Sequence, residues 1–145
     1  MKEETALEAF RSGLNCAQSV VKSYAESSGA NENTLLGISA GFGGGMARLQ
    51  HTCGAVTGAF MVLGMVNSGR YTDRKEIKDT TYAMIREFNN RFIALHGATD
   101  CRTLLGCDLN TQEGQNYMSE YKLSESICEK CVAHSVSILN ELLAG

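Results

Sequence analysis

Between Arg48 and Arg70 the chain carries no charged side chain, and from Cys53 to Val66 it is apolar almost without interruption. That stretch falls short of the roughly 20 apolar residues a membrane span needs. A helix that is apolar on every face has to be wrapped by others, so this segment is expected at the centre of a helical core. Gly54 and Gly58, with Ala55 and Ala59, recur at four-residue spacing and form two ridges of small residues where another backbone can approach closely. The ridges suit tight helix contact within one chain and equally a homodimer.

The rest of the chain supplies helices to wrap it. There is no proline, and runs of β-branched and aromatic residues bounded by turns are scarce, so strands have little support. EETALEAFRSGLN places Ala6, Leu7, Phe10 and Leu14 at helical spacing, and Ser12-Gly13 ends it. A second helix is expected over 16–27 with Ala17, Val20, Val21 and Tyr24 inward, and a short one over 34–40 before the loop GFGGGMARLQH. DRKEIKDTTYAMIREFNNRFIALHG reads as an amphipathic helix, with Ile77, Met84, Ile85, Phe88, Phe92 and Leu95 inward and Gly97 as its stop. CRTLLG reads as a turn, 111–121 as a polar helix, and 126–143 as a last helix turning Val132, Val136, Leu139 and Leu143 inward. The expectation is an all-α, compact, single-domain bundle of about five to seven helices covering 1–145. A chain of this size buries about 68% of its unfolded surface, enough for one core.

A net charge of -3 offers no basic footprint for a phosphate backbone, which excludes nucleic acid as an expected partner. The start, Met1-Lys2-Glu3-Glu4-Thr5, puts acids where an export signal needs a basic and then an apolar stretch. No membrane partner is expected, and the expected location is cytoplasmic.

Six cysteines exceed what packing asks of a chain in a reducing compartment. Such a compartment disfavours a structural disulfide framework, leaving metal binding or redox chemistry. Any single cysteine is as readily a small buried hydrophobe. Four of them share a placement: Asn15-Cys16, Thr52-Cys53 and Asp100-Cys101 set a capping residue before the thiol, and Ser126 precedes Cys128 by two. Each thiol is thereby expected in the first turn of a helix, where unpaired N–H groups and the dipole favour a thiolate. Cys107 reads as a core contact. Cys131 completes a C-x-x-C with Cys128, at i,i+3 on one helical face, but no second C-x-x-C makes a zinc ribbon, and Val132 stands where haem attachment needs histidine.

The runs FRSGLNCAQSV, GFGGGMARLQHTCGAVTGAFMVLGMVNSG, DCRTLLGCDL and CEKCVAHSVSILNEL resemble the redox-active proteins named for their C_GCAxxG_C_C cysteine pattern. The resemblance spans nearly the whole chain. It implies a small helical protein with four family cysteines, here Cys16, Cys53, Cys101 and Cys128, the same four selected by helix starts. The central block departs from the pattern in having Thr52 before Cys53. That family is also similar to the cysteine-bearing part of split-Soret cytochromes, a likeness that implies an iron–sulfur centre without the haem.

Three readings of the four cysteines follow. The leading one is electron transfer through an iron–sulfur cluster on Cys16, Cys53, Cys101 and Cys128, four thiolates being the usual complement. The second is a metal-free thiol–disulfide oxidoreductase in which the same thiols react directly, with a redox partner protein or a small thiol as the other reactant. The third is structural zinc in an interaction module. Gly43, Gly44 and Gly45 fit neither phosphate-binding fingerprint; close backbone approach is their expected use, with bare N–H groups offered to a thiolate or a cluster. His51, two residues before Cys53, and His134, three after Cys131, are candidate outer ligands. His96, before Gly97, suits a helix C-terminus.

Overall fold

The structure, a computed structural model, describes residues 1–144. Among them are nine helices and no strand: α1 Lys2–Arg11, α2 Cys16–Ser23, α3 Ala25–Ser28, α4 Glu32–Ser39, α5 Gly54–Arg70, α6 Arg74–His96, α7 Cys101–Leu105, α8 Gln112–Glu120 and α9 Glu129–Leu143. A 3₁₀ turn at Ala40–Phe42 and a π-helical turn at Ser124–Cys128 join them. The all-α expectation holds with two more helices than foreseen. One arises because the chain leaves helical geometry at Tyr24 (φ −109°, ψ 0°), dividing the expected second helix into α2 and α3. The other is CRTLLG, which closes into α7 between the Asp100 cap and left-handed Gly106.

The charge-free segment is α5, and its first two turns, Gly54 to Ala59, are buried throughout. α2 lies along it, with α6 and α9 on other faces. A Cβ on Gly58 would stand 2.8 Å from the Ala17 carbonyl oxygen, and one on Gly54 would stand 3.1 Å from the Ala17 nitrogen and 3.2 Å from Cys16 Cβ. The glycine ridge is thus filled by α2 of the same chain, and this contact carries Cys16 to the start of α5. Val132, Val136, Leu139 and Leu143 of α9 are all buried, as are Phe88 and Phe92 of α6. Leu95 departs from its expected inward position and is 57% exposed. His96 takes its place: it stacks on Phe92 at 4.5 Å and hydrogen-bonds His134 at 2.9 Å. Among the described residues no helix is long and apolar enough to cross a membrane.

Candidate functional site

Two of the four expected helix starts are built as the sequence indicates. Asn15 caps α2 through a reciprocal pair: its side chain accepts from the Gln18 N–H, and its own N–H donates to Gln18 Oε1 at 3.1 Å. Cys16 is the first residue of the helix. Asp100 caps α7, its carboxylate accepting from the Thr103 N–H at 2.8 Å, and Cys101 follows. Bonding to Thr103 holds the Asp100 pKa below its ordinary value. A depressed folded-state pKa means the stabilisation is complete above the ordinary carboxylate value and disappears as pH falls through the folded one. Asp100→Ala is therefore expected to cost about 0.5–2 kcal/mol at neutral pH, measured by denaturant unfolding, with the difference from wild type shrinking as pH falls through the depressed Asp100 pKa.

The other two starts are built differently. Thr52 is not a cap: it forms an isolated antiparallel bridge with Asp100. Cys53 itself occupies the cap position of α5, and the Ala55 and Val56 N–H groups interact with its sulfur. Ser126 is not a cap either, because it lies inside the π-helical turn that runs straight into α9, with Cys128 at helical φ/ψ between them. Free helix ends do not unite the four cysteines.

What unites them is a shared wall. The bridge is tightened by Cys53 N–H to Thr99 O and Cys101 N–H to His51 O, both 2.7 Å, so Cys53 and Cys101 start their helices from adjacent points. α2 brings Cys16 against Gly54, and the start of α9 closes the other side. Cys16, Cys53, Cys101, Cys128 and Cys131 together line one cavity of about 90 Å³, walled otherwise mainly by leucines, Met118 and Ile127. The space is about three times a water molecule's share of the liquid, but its walls are apolar. Gly44 and Gly45 line it too, whereas Gly43 packs against Asn15 outside. Gly45 could carry no side chain, since a Cβ there would be 2.8 Å from Cys101 Cβ.

Within the cavity the thiols associate in pairs. Cys16 and Cys128 act on one another, the interaction lowering the Cys128 pKa and raising that of Cys16. Cys131 and Cys53 do the same, lowering Cys53 and raising Cys131. Within each pair the proton is held more tightly by Cys16 and by Cys131 than by Cys128 and by Cys53. Cys101 stands apart: burial first, then the charge of Cys53, push its pKa up to about 12, against the Gln50 amide 3.9 Å from its sulfur. All six cysteines are free thiols; Cys16 and Cys128 are half-buried and the other four are buried.

Cys131 was undervalued in the sequence, although its i,i+3 relation to Cys128 is the signal that marks it. Cys107 packs outside the cavity with Leu105 and Leu123, a core contact as expected. His51 is exposed and serves through its backbone. His134 pairs with His96 and does not line the cavity. Among the described residues no three His, Cys, Asp or Glu side chains form a group arranged to hold an ion.

A family model described as "Putative redox-active protein (C_GCAxxG_C_C)" matches residues 14–142. No curated protein and no solved structure matches the chain.

Proposed function

The chain belongs to the C_GCAxxG_C_C family of redox-active proteins, and we propose that it works by reversible thiol–disulfide exchange at the cysteine cavity. The observation that carries this reading is the convergence of Cys16, Cys53, Cys101, Cys128 and Cys131 on one cavity, within which Cys16 and Cys128, and Cys53 and Cys131, shift one another's pKa. Cys128 takes the proton of Cys16; the Cys16 sulfur attacks an incoming disulfide RS–SR, forming a mixed disulfide and expelling RS⁻. Cys128 then gives its proton to the expelled RS⁻ and attacks the Cys16 sulfur, releasing the second R group as RS⁻. The protein gains a Cys16–Cys128 disulfide and the substrate is reduced to one thiol and one thiolate, the single proton having come from the pair. Cys53 and Cys131, buried behind, form a second couple that can pass its electrons outward by the same exchange. Titrating the reduced protein with a small disulfide, then quenching with acid and mapping bridges by mass spectrometry, tests this. The expected order is Cys16–Cys128 first and Cys53–Cys131 second; bridges through Cys107, or none, would refute it.

A second reading is favoured by the space between the pairs. Soft thiolate donors are what an iron–sulfur cluster takes, and the walls of this cavity supply cysteines. Cys16, Cys53, Cys101 and Cys128 would hold it, with Cys131 as a fifth donor competing with Cys101. Such a group supplies one-electron transfer when bound. Anaerobic reconstitution with iron and sulfide should then give a coloured protein, with Cys101→Ser and Cys131→Ser distinguishing the fourth ligand; a colourless product removes this reading. Among the described residues no three ligands are grouped to hold one ion, which weighs against zinc and against a cluster alike and ranks both behind exchange.

A further inference from the structure

Resting on the exchange reading, we propose that the site selects small disulfides bearing carboxylates, and that Arg48 is the residue that recognises them. Cys16 lines not only the cavity but also an open groove of about 500 Å³ on the outer side, shared with Phe10, Asn15, Gly44, Arg48 and Ser124. That volume suits a small molecule. Arg48 is the only charged side chain lining the groove, and it forms no ion pair among the described residues. Glu129, at the start of α9, is paired with Arg11. A guanidinium free to bind a carboxylate in two-point fashion therefore lines the same groove as Cys16.

The backbone holds Arg48 there at a cost. Gly44, Gly45, Met46, Ala47 and Arg48 all have left-handed φ, between 52° and 69°. Left-handed residues normally occur singly, and a non-glycine there is disfavoured by its Cβ. Here three follow one another. The turn is fixed from both sides: the Gln50 and His51 N–H groups donate to the Gly44 and Gly45 carbonyls at 3.1 and 2.9 Å, and Asn110 donates to the Arg48 carbonyl at 2.8 Å. Buried Gln50 locks the far end, donating to the Cys107 carbonyl and accepting from the Leu109 N–H. The Arg48 stem crosses Gly44 where a side chain would otherwise be, 2.8 Å from the place of its Cβ. Strain so heavily supported is characteristic of a residue held for binding.

Three disulfides of matched length test the assignment on the full reduced chain: 3,3′-dithiodipropionate, bis(2-hydroxyethyl) disulfide and cystamine. Each rate of Cys16–Cys128 bridge formation is divided by the rate of the same disulfide with free cysteine. The expected result is a preference for dithiodipropionate over the hydroxyethyl compound of about tenfold or more, and disfavour of cystamine. Arg48→Gln should collapse that preference, and Arg48→Lys should restore part of it, with the thermal midpoint monitored to show that the turn persists. Equal relative rates in wild type and Arg48→Gln would overturn the role of Arg48 while leaving exchange intact. No bridge with any of the three would remove exchange itself, and the assignment with it.

Discussion

Cys128→Ser is expected to arrest exchange halfway. In the wild type, Cys128 takes the Cys16 proton and then resolves the mixed disulfide; a serine hydroxyl does neither. The first step should slow by about 100-fold, the lower end of what a positioned proton acceptor contributes, and the product should be protein carrying one half of the disulfide on Cys16, visible as a mass adduct. Cys16→Ser should give no adduct at the outer pair, because the sulfur that faces the groove is gone. Both changes are nearly isosteric and the two positions are half-buried, so thermal unfolding should move little. Cys107→Ser is the control: its thiol does not line the cavity and takes no part in the exchange, so the rate should stay within about twofold of wild type. A Cys107→Ser variant as slow as Cys16→Ser would point to damage to the fold and not to the chemistry.

How far this site can be read from the sequence depends on how local each cause is. The Asn15-Cys16 and Asp100-Cys101 starts are local, since a capping side chain reaches only three residues ahead, and both are found as expected. The Thr52–Asp100 bridge joins residues far apart in the chain. Nothing beside Thr52 announces that its backbone is needed there and its hydroxyl is not. The π-helical turn before Cys128 is similarly silent, because its sequence, SESIC, would suit an ordinary helix start. The left-handed run is half legible. Gly44 and Gly45 advertise positive φ, but Met46, Ala47, Arg48 and Gln50 adopt it too, and there the tertiary hydrogen bonds of Gln50 and Asn110 overrule residue preference. Cys131 shows the limit from the other side. Its spacing from Cys128 was visible, but its partner Cys53 lies far away in the chain, and only the packing of α9 on α5 brings the two sulfurs together.

Substitutions along α5 separate the packing of α2 from the helix's own preferences. Gly69 has nothing within 4 Å of where a Cβ would stand, so Gly69→Ala should stabilise the chain by about 0.4–1 kcal/mol, through a less flexible unfolded state and better helix propensity. Gly58 is on the same helix, yet its Cβ would sit 2.8 Å from the Ala17 oxygen and 3.1 Å from Ala17 Cα. Backbone cannot rotate away as a side chain can, so α2 has to move. Overpacking of this kind costs about 1–3 kcal/mol, which outweighs the propensity gain, and Gly58→Val, larger and β-branched, should fall at or beyond the upper end. At about 2–4 °C per kcal/mol for a chain of this size, Gly58→Val should lower the thermal midpoint by roughly 6–12 °C or more. The same displacement reaches the chemistry, because Cys16 precedes Ala17 and its sulfur meets Cys128 only while α2 stays seated on α5. Gly58→Val should therefore slow Cys16–Cys128 bridge formation even well below its unfolding temperature, whereas Gly69→Ala should leave that rate unchanged. A Gly58→Val protein as stable and as fast as Gly69→Ala would mean that α2 does not rest on the glycine ridge.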